Sequence, residues 1–307
     1  MLGMCKDGHG MSDEIKVQNI GELLEETMEE IISKASEPDT PECEVLSTGL
    51  LNLDAVLDGL WPSELVCIAG TSRSGRHSLA CQIGLSAARQ GAAVLIVSTE
   101  TSARQVALRA LAADARVDAC RLEAGELDEG RWSRVADASG TISGLDLRVC
   151  CDRDISIDDV AAFAGDAMDG CGKGLVVLCG IDRIAETSGH DSCLVVERIK
   201  ALSVDLSVPV IVTVDMPEGI VRCARMGGYN PSGIRMAVGV DDECDALMLL
   251  DRSVTPEEGA SADAPDFGTA VVAVAKNRHG ACGTAELAFV REYGRFLDLV
   301  DGGDMGA

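Results

Sequence analysis

Aromatic side chains are scarce in this 307-residue chain, only 3% of it. Its core must therefore be built from aliphatic residues. Positive charge is also in deficit: 26 Lys and Arg stand against 51 Asp and Glu, for a net charge of −25. Phosphate backbones are held by Lys and Arg, so a protein coated with basic surface for nucleic acid is excluded, though a local basic strip is not. Long apolar runs are missing. The longest, such as 92–97 and 175–179, fall far short of the roughly 20 residues a membrane helix needs. The first residues, MLGMCKDGHG, hold no apolar stretch of signal-peptide length. These absences lead to the expectation of a soluble, cytoplasmic protein with no membrane partner. The 13 cysteines are an odd number and form no CxxC pair or regular spacing, so neither a zinc site nor a disulfide framework is expected. They are expected to be reduced, mostly as small core residues, with adjacent Cys150 and Cys151 the pair a redox role would use.

What is present is ordinary for a folded chain: 47% hydrophobic and 25% charged residues, against bulk disorder. Residues 1–18 are polar and are expected to fray. Within 19–36, Ile20, Leu23, Leu24, Met28, Ile31 and Ile32 recur at helical spacing opposite a glutamate-rich face. The stretch EPDTPECE (37–44) reads as an acidic linker, so 19–44 is an amphipathic helix plus linker. Its apolar stripe either folds back on its own domain or docks on another subunit. The main domain is expected over 45–300, with a short tail at 301–307.

Within that domain, apolar strand-like runs recur at 65–69, 93–98, 145–150, 175–179, 208–214, 246–250 and 270–275. Helical stretches separate several of them: 78–90, 102–113, 129–140, 157–169 and 193–206. Continuous apolar strands alternating with helices predict an α/β fold, a mainly parallel sheet covered on both faces. A Gly-containing turn at 279–283 between two more runs predicts a C-terminal antiparallel hairpin at the sheet edge. Residues 256–265 read as an acidic surface loop.

After the first core strand comes Gly70-Thr71-Ser72-Arg73-Ser74-Gly75-Arg76-His77-Ser78. Strand, Gly-rich loop and helix are the context in which backbone N–H groups and a helix N-terminus cradle phosphate. The two glycines stand at the spacing of GxxxxGK[ST], but Arg76 replaces the lysine and His77 the hydroxyl residue. Arg76 still supplies charge and donors. His77 lacks the small oxygen ligand that Mg²⁺ prefers. A plain Gly/Ser turn capping a helix is the alternative. Glu100 follows the next strand, at the end that faces a ligand crevice in such sheets, where it either polarises a water or is an exposed loop acid.

At this point the sequence resembles the C-terminal, RecA-like motor domain of DnaB-type replicative DNA helicases. The resemblance rests on Ser47-Thr48-Gly49, Leu53-Asp54 and Gly59-Leu60-Trp61-Pro62-Ser63-Glu64-Leu65 leading into the phosphate loop, and on Ser98-Thr99-Glu100-Thr101. It is carried further by Arg116-Val117-Asp118 through Gly125, Leu127, Asp128 and Trp132, and by Lys276-Asn277-Arg278-His279-Gly280. It runs from about 45 to 299, without the family's separate N-terminal helical domain, while residues 19–36 resemble its subunit-docking linker helix. The resemblance implies a RecA-like P-loop NTPase fold, a hexamer-like ring, and binding of ATP along residues 70–78. It implies Glu100 as the water-activating glutamate, Asp215 at the γ-phosphate sensor position, and Lys276 and Arg278 as fingers reaching the next subunit's nucleotide. Single-stranded DNA would be held by the channel loop 217–235, with Arg222, Arg225 and Arg235.

Four positions depart together from that pattern: Arg76 for Lys, His77 for Thr, Cys179 for the Walker B Asp, and Asp215 for Gln. Asp182 lies three residues past Cys179. Phosphoryl transfer is mostly positioning and charge around Mg²⁺ and the γ-phosphate, and these changes remove the magnesium anchor. Asp215 is expected to repel a triphosphate. Each lost charge-assisted contact costs about 1.5–3 kcal/mol, and several together slow turnover by roughly 10³–10⁴. Weak ATP binding without firm Mg²⁺ is expected, in a helicase-like motor with weakened chemistry. The alternative is an inactive ring-forming regulatory partner, in a mixed ring with an active helicase that the intact Lys276 and Arg278 would serve. A third reading is a RecA-like ATPase using His77, Cys179 and Asp182 as metal ligands.

Overall fold

The computed structural model describes residues 45–299 except 190, 191, 218, 220, 222–239, 241 and 254–266, together with helical positions Ile20, Gly21, Leu24, Met28, Glu29 and Ile32. The expectations for 1–18, the linker 37–44, the acidic loop 256–265, the tail 301–307 and the arginines Arg222, Arg225 and Arg235 lie outside the described residues. The chain divides into two units, Met1–Cys43 and Glu44–Ala307. In the first, Ile20, Leu24, Met28 and Ile32 follow one another at four-residue steps on one helix and are 52–70% exposed. Residues so spaced share a helix face; Leu23 and Ile31 of the expected stripe lie outside the described residues.

Among the described residues the second unit is a sheet of nine strands with helices on both faces. A short helix α1 (Leu51–Leu57) leads to β1 (Leu65–Gly70) and then α2 (Arg76–Arg89). Next come β2 (Ala93–Ser98), the helices α3 (Ala103–Ala115), α4 (Ala119–Ala124) and α5 (Glu129–Ser143), and β3 (Leu147–Cys150). The chain continues through α6 (Ile157–Met168), β4 (Gly174–Cys179), α7 (Ile181–Ser188), α8 (Ser192–Asp205) and β5 (Val210–Asp215). It finishes with β6 (Ala246–Ser253), β7 (Phe267–Asn277), β8 (Gly283–Val290) and β9 (Arg295–Asp298). The order across the sheet is β3-β2-β4-β5-β1-β6-β7-β8-β9. Pairs from β3 to β6 are parallel, and β6 to β9 pair antiparallel. The expected hairpin is therefore three strands deep beyond β6, and both rim strands, β3 and β9, are only four residues long.

The aliphatic composition dictates the layering. Strand residues alternate between faces, and the two faces hold separate cores. Val66 and Ile68 of β1 pack with Leu79, Ile83 and Ala87 of α2, while Leu65, Cys67 and Ala69 pack with Val160 of α6 and Val195 and Ile199 of α8. A third, smaller cluster joins α3 to α5 through Ala115, Val117, Val135 and Ala138.

Helix starts follow side-chain capping. Ser102 and Gln105 form a reciprocal capping box at α3, and Ser156 and Asp159 another at α6. Asp118 and Asp128 accept backbone N–H groups at the starts of α4 and α5, as good N-caps do. Helices α1, α4 and α7 were not expected from the pattern. Each is at most eight residues long, too short for its periodicity to stand out, and α1 begins without a side-chain cap. At 145–146 the expected strand is instead turn, with Leu145 N–H bonded to Ile142 O. Of the ten described cysteines only Cys67, Cys179 and Cys244 are buried and four are exposed; the expected core placement holds for a minority.

One buried acid ties the lower rim of the sheet together. Asp245, 3% exposed just ahead of β6, accepts from Leu65 N–H at 2.8 Å, Lys200 Nζ at 2.6 Å and Arg278 Nη1 at 2.7 Å. It thus joins β1, α8 and the β7–β8 turn. Burial alone would raise its pKa, but the bonds from Lys200 and Leu65 and the charges of Lys200 and Arg278 outweigh it and hold the carboxyl below its ordinary value. Removing one partner of a buried ion pair leaves the other uncompensated, so Asp245→Ala is expected to destabilise the domain by about 3 kcal/mol in urea unfolding. A depressed folded-state pKa contributes stability above the unfolded value, near 4 for Asp, and loses it as pH falls through the folded value. Asp245→Asn is therefore expected to flatten the acid limb of the stability–pH profile, with little change in its shape above neutrality.

Candidate functional site

Parallel register brings the strand ends together. Gly70 at the end of β1 stands opposite Asp215 at the end of β5, and Ser98 of β2 opposite Cys179 of β4. Gly70, Glu100, Cys179 and Asp215, far apart in sequence, thus cluster at the carboxyl rim, where crevices form in open α/β sheets.

The loop between β1 and α2 is tightly wound. Ser74 N–H donates to Thr71 O at 3.0 Å. Gly75, the N-cap of α2, has φ 95°, a conformation that glycine enters without the strain a side chain brings. At Gly70 a Cβ would fall 2.5 Å from Ser74 Oγ. The first-turn amides of α2 have no partner inside the helix, which makes the loop an anion cradle.

The Arg76 side chain turns inward and is 5% exposed. Its Nη1 donates to Thr71 O at 3.1 Å and lies 2.8 Å from Asp215 Oδ1. Its Nη2 lies 3.7 Å from Glu100 Oε1. His77 Nε2 stands 3.2 Å from Glu100 Oε2. The His77 contact, reinforced by the charge of Arg76, holds the Glu100 carboxyl below its usual range against the opposing effect of burial. One guanidinium therefore bridges two carboxylates. The Asp215 charge, expected to face a ligand, is met by Arg76.

Beside the loop opens a pocket of about 360 Å³. Ser72, Arg73, Gly75, Arg76, His77 and Ser78 line it, with Glu100. Arg109, Arg252, Phe289, Arg291, Glu292 and Tyr293 complete it, and none of these was singled out from the sequence. Five arginines thus face two carboxylates, a local positive focus in a chain of net charge −25. The missed arginines come from α3, β6 and the β8–β9 turn, so no sequence spacing could unite them. Arg252 also lies 4.4 Å over the Phe289 ring.

These residues fit a nucleotide: the loop amides, the arginines, and Arg76 Nε, a buried donor with no partner among the described residues. They do not fit Mg²⁺. His77 brings nitrogen where an oxygen is wanted. The Cys179 thiol is pushed well up, first by its contact with Cys81 and then by burial, so it stays neutral. Glu100 and Asp215 are engaged by Arg76 and His77. Among the described residues no group of three or more His, Cys, Asp or Glu could hold a metal ion, which leaves the reading with His77, Cys179 and Asp182 as metal ligands without its cluster.

Lys276 and Arg278 lie elsewhere. Arg278 bonds to Asp245, whose carboxylate holds the Leu65 amide at the start of β1. The phosphate loop is at the other end of that six-residue strand, roughly 16 Å away at strand rise. The turn carrying them is firmly seated. Asn277 Nδ2 donates to Val56 O and Leu57 O at the end of α1. His279 stacks on Trp61 with centroids 4.8 Å apart and lies 2.9 Å from Glu64.

Residues 45–298 match the family described as the DnaB-like helicase C terminal domain. The chain belongs to this family. Among curated relatives of this DnaB-like domain, the replicative DNA helicase DnaB of Geobacillus stearothermophilus is 26% identical over 263 residues, 83% of this chain and 56% of that protein. The DnaB of Buchnera aphidicola subsp. Schizaphis graminum is 28% identical over 295 residues, 91% of this chain and 60% of that protein. The DnaB-like chain thus spans little more than half the length of these relatives. Its fold is that of a solved ATPase domain, at TM-score 0.75 and 19% identity over 93% of this chain and all of that one. A DnaB-like replicative helicase solved with its primase interactions in view gives 0.72 and 19% over 92% of this chain and 71% of that one. A KaiC-like protein from Pyrococcus horikoshii OT3 gives 0.52 and 14% over 82% and 97%. The architecture of the DnaB-like domain is therefore RecA-like.

His77→Ala removes the principal cause of the low Glu100 pKa. The Glu100 carboxyl, followed by carbon-detected NMR titration, is expected to move up toward its ordinary value in that variant, with the fold unchanged.

Proposed function

We propose that this chain is a nucleotide-binding, ring-forming homologue of the replicative helicase motor, with weakened hydrolysis. The observation that carries this reading is the arginine-lined pocket beside an intact Gly70–Gly75 loop in a DnaB-like domain. The ligand is ATP or a related nucleotide. The loop amides and the first turn of α2 take its phosphates, and Arg73, Arg109, Arg252 and Arg291 add positive charge around them. Glu100 stands where a water would be polarised, but Arg76 and His77 already hold its carboxylate. Its basicity is lowered, which disfavours proton abstraction. Slow turnover follows from these positions without any change of fold.

Ring assembly is supported by the exposed stripe of Ile20, Leu24, Met28 and Ile32, which suits docking on a neighbouring subunit, and by the placement of Lys276 and Arg278. Those two residues stand at the far end of the sheet from their own phosphate loop, so their use as fingers requires a second subunit. A chain with a compromised site and usable fingers fits a mixed ring with a competent helicase, the regulatory form of the same proposal. Single-stranded DNA is the proposed substrate of the ring.

Purified alone, the protein is expected to turn over ATP roughly 10³–10⁴ more slowly than an intact DnaB relative, measured by phosphate release. Restoring the pattern with Arg76→Lys, His77→Thr, Cys179→Asp and Asp215→Gln together is expected to raise that rate at least tenfold. Brisk magnesium-driven turnover by the unmodified chain would refute the reading.

A further inference from the structure

We propose that this chain takes its nucleotide without a metal ion, with the Arg76 guanidinium, fixed between Asp215 and Glu100, serving as the resident cation at the phosphate end of the pocket. The ligand class is then the free nucleoside polyphosphate rather than its magnesium complex. This rests on the nucleotide-binding reading above and deepens it.

The argument starts from the two acids at the strand ends. Carboxylates at this rim are groups to which a divalent cation or its waters would be drawn. Here both already have a cation: Arg76 lies 2.8 Å from Asp215 and 3.7 Å from Glu100. The guanidinium cannot leave easily. It is nearly buried, donates to the Thr71 carbonyl, and is always charged. An arriving Mg²⁺ would meet that fixed positive charge, with an imidazole and a neutral thiol in place of oxygen ligands. A second observation concerns charge balance. The pocket lining holds five arginines with Glu100 and Glu292, and Asp215 beside Arg76 is a third acid, so arginines outnumber acids five to three, which suits the full negative charge of an uncomplexed polyphosphate. The unpartnered Arg76 Nε leaves one donor of the resident cation uncommitted. A planar guanidinium with several donors suits phosphate oxygens as well as the carboxylates it already bridges.

The substitutions then read as one exchange. A metal held by hydroxyl and carboxylate ligands has been replaced by a side-chain cation held by two carboxylates.

The test is calorimetric titration of the full chain with the non-hydrolysable analogue adenylyl imidodiphosphate, once in EDTA and once in excess magnesium chloride. Affinity in EDTA equal to or tighter than in magnesium is the expected result. Binding that is tighter in magnesium overturns the inference but leaves the nucleotide reading standing. Absence of binding in both conditions overturns both. Two variants sharpen the outcome. Arg76→Ala is expected to lose about 10- to 100-fold in EDTA and to recover part of that when magnesium is added, because two unpaired carboxylates then await a cation. Asp215→Asn, at a half-exposed side chain whose loss spares the core, is expected to bind several-fold tighter in EDTA. An Asp215→Asn protein that binds no tighter than the parent would show that Arg76 does not present its charge to the ligand, and would overturn the proposal even if Arg76→Ala fails to fold.

Discussion

The candidate site depends on one guanidinium held between two carboxylates. Arg76 cannot be neutralised, and it is too deeply placed to shed its partners into water. Once it occupies the rim, Glu100 and Asp215 have an internal counter-ion, and the His77 imidazole settles against the remaining oxygen of Glu100. The four departures from the helicase pattern thus form a consistent set. A buried arginine with no acid beside it would be costly, and an acid at position 215 with no cation beside it would repel a ligand. Together they place one cation beside both acids beneath the phosphate loop.

The scaffold around that cation shows no matching erosion. The Gly70–Gly75 turn keeps its αL glycine and its inner hydrogen bond, α2 packs along the sheet through Leu79, Ile83 and Ala87, and the family match runs through nearly the whole second unit. Fold and chemistry respond to different selections of residues: the first needs aliphatic alternation, the second a few groups at strand ends. That separation is why a chain under 30% identical to the relatives described above belongs to their family while Arg76 and His77 stand where the GxxxxGK[ST] pattern has lysine and a hydroxyl residue.

Much of the fold was legible in the sequence because its signals are local. The strand runs ending at Gly70, Ser98 and Cys179 were placed within a residue or two, since continuous aliphatic stretches bounded by loops have few other readings. Short helices such as α1 were not, because seven residues carry too little periodicity. The phosphate loop and Glu100 were readable from their places at strand ends, whereas Asp215 joined them only through resemblance to a family. Their mutual contacts were not, because whether Asp215 repels a ligand or pairs with Arg76 depends on a distance that no spacing encodes. Arg109, Arg252 and Arg291 were invisible for a related reason: they sit on separate segments that meet only after the chain crosses over the sheet.

The four-residue rim strands have a bearing on how copies of this protein meet. A long bare rim would invite another polypeptide to extend the ladder of backbone bonds, and natural proteins commonly blunt that invitation by trimming the outermost strands. Here both margins, β3 and β9, offer only a brief template. Lateral growth into filaments by strand addition is disfavoured, and contact with another chain is left to helices and loops.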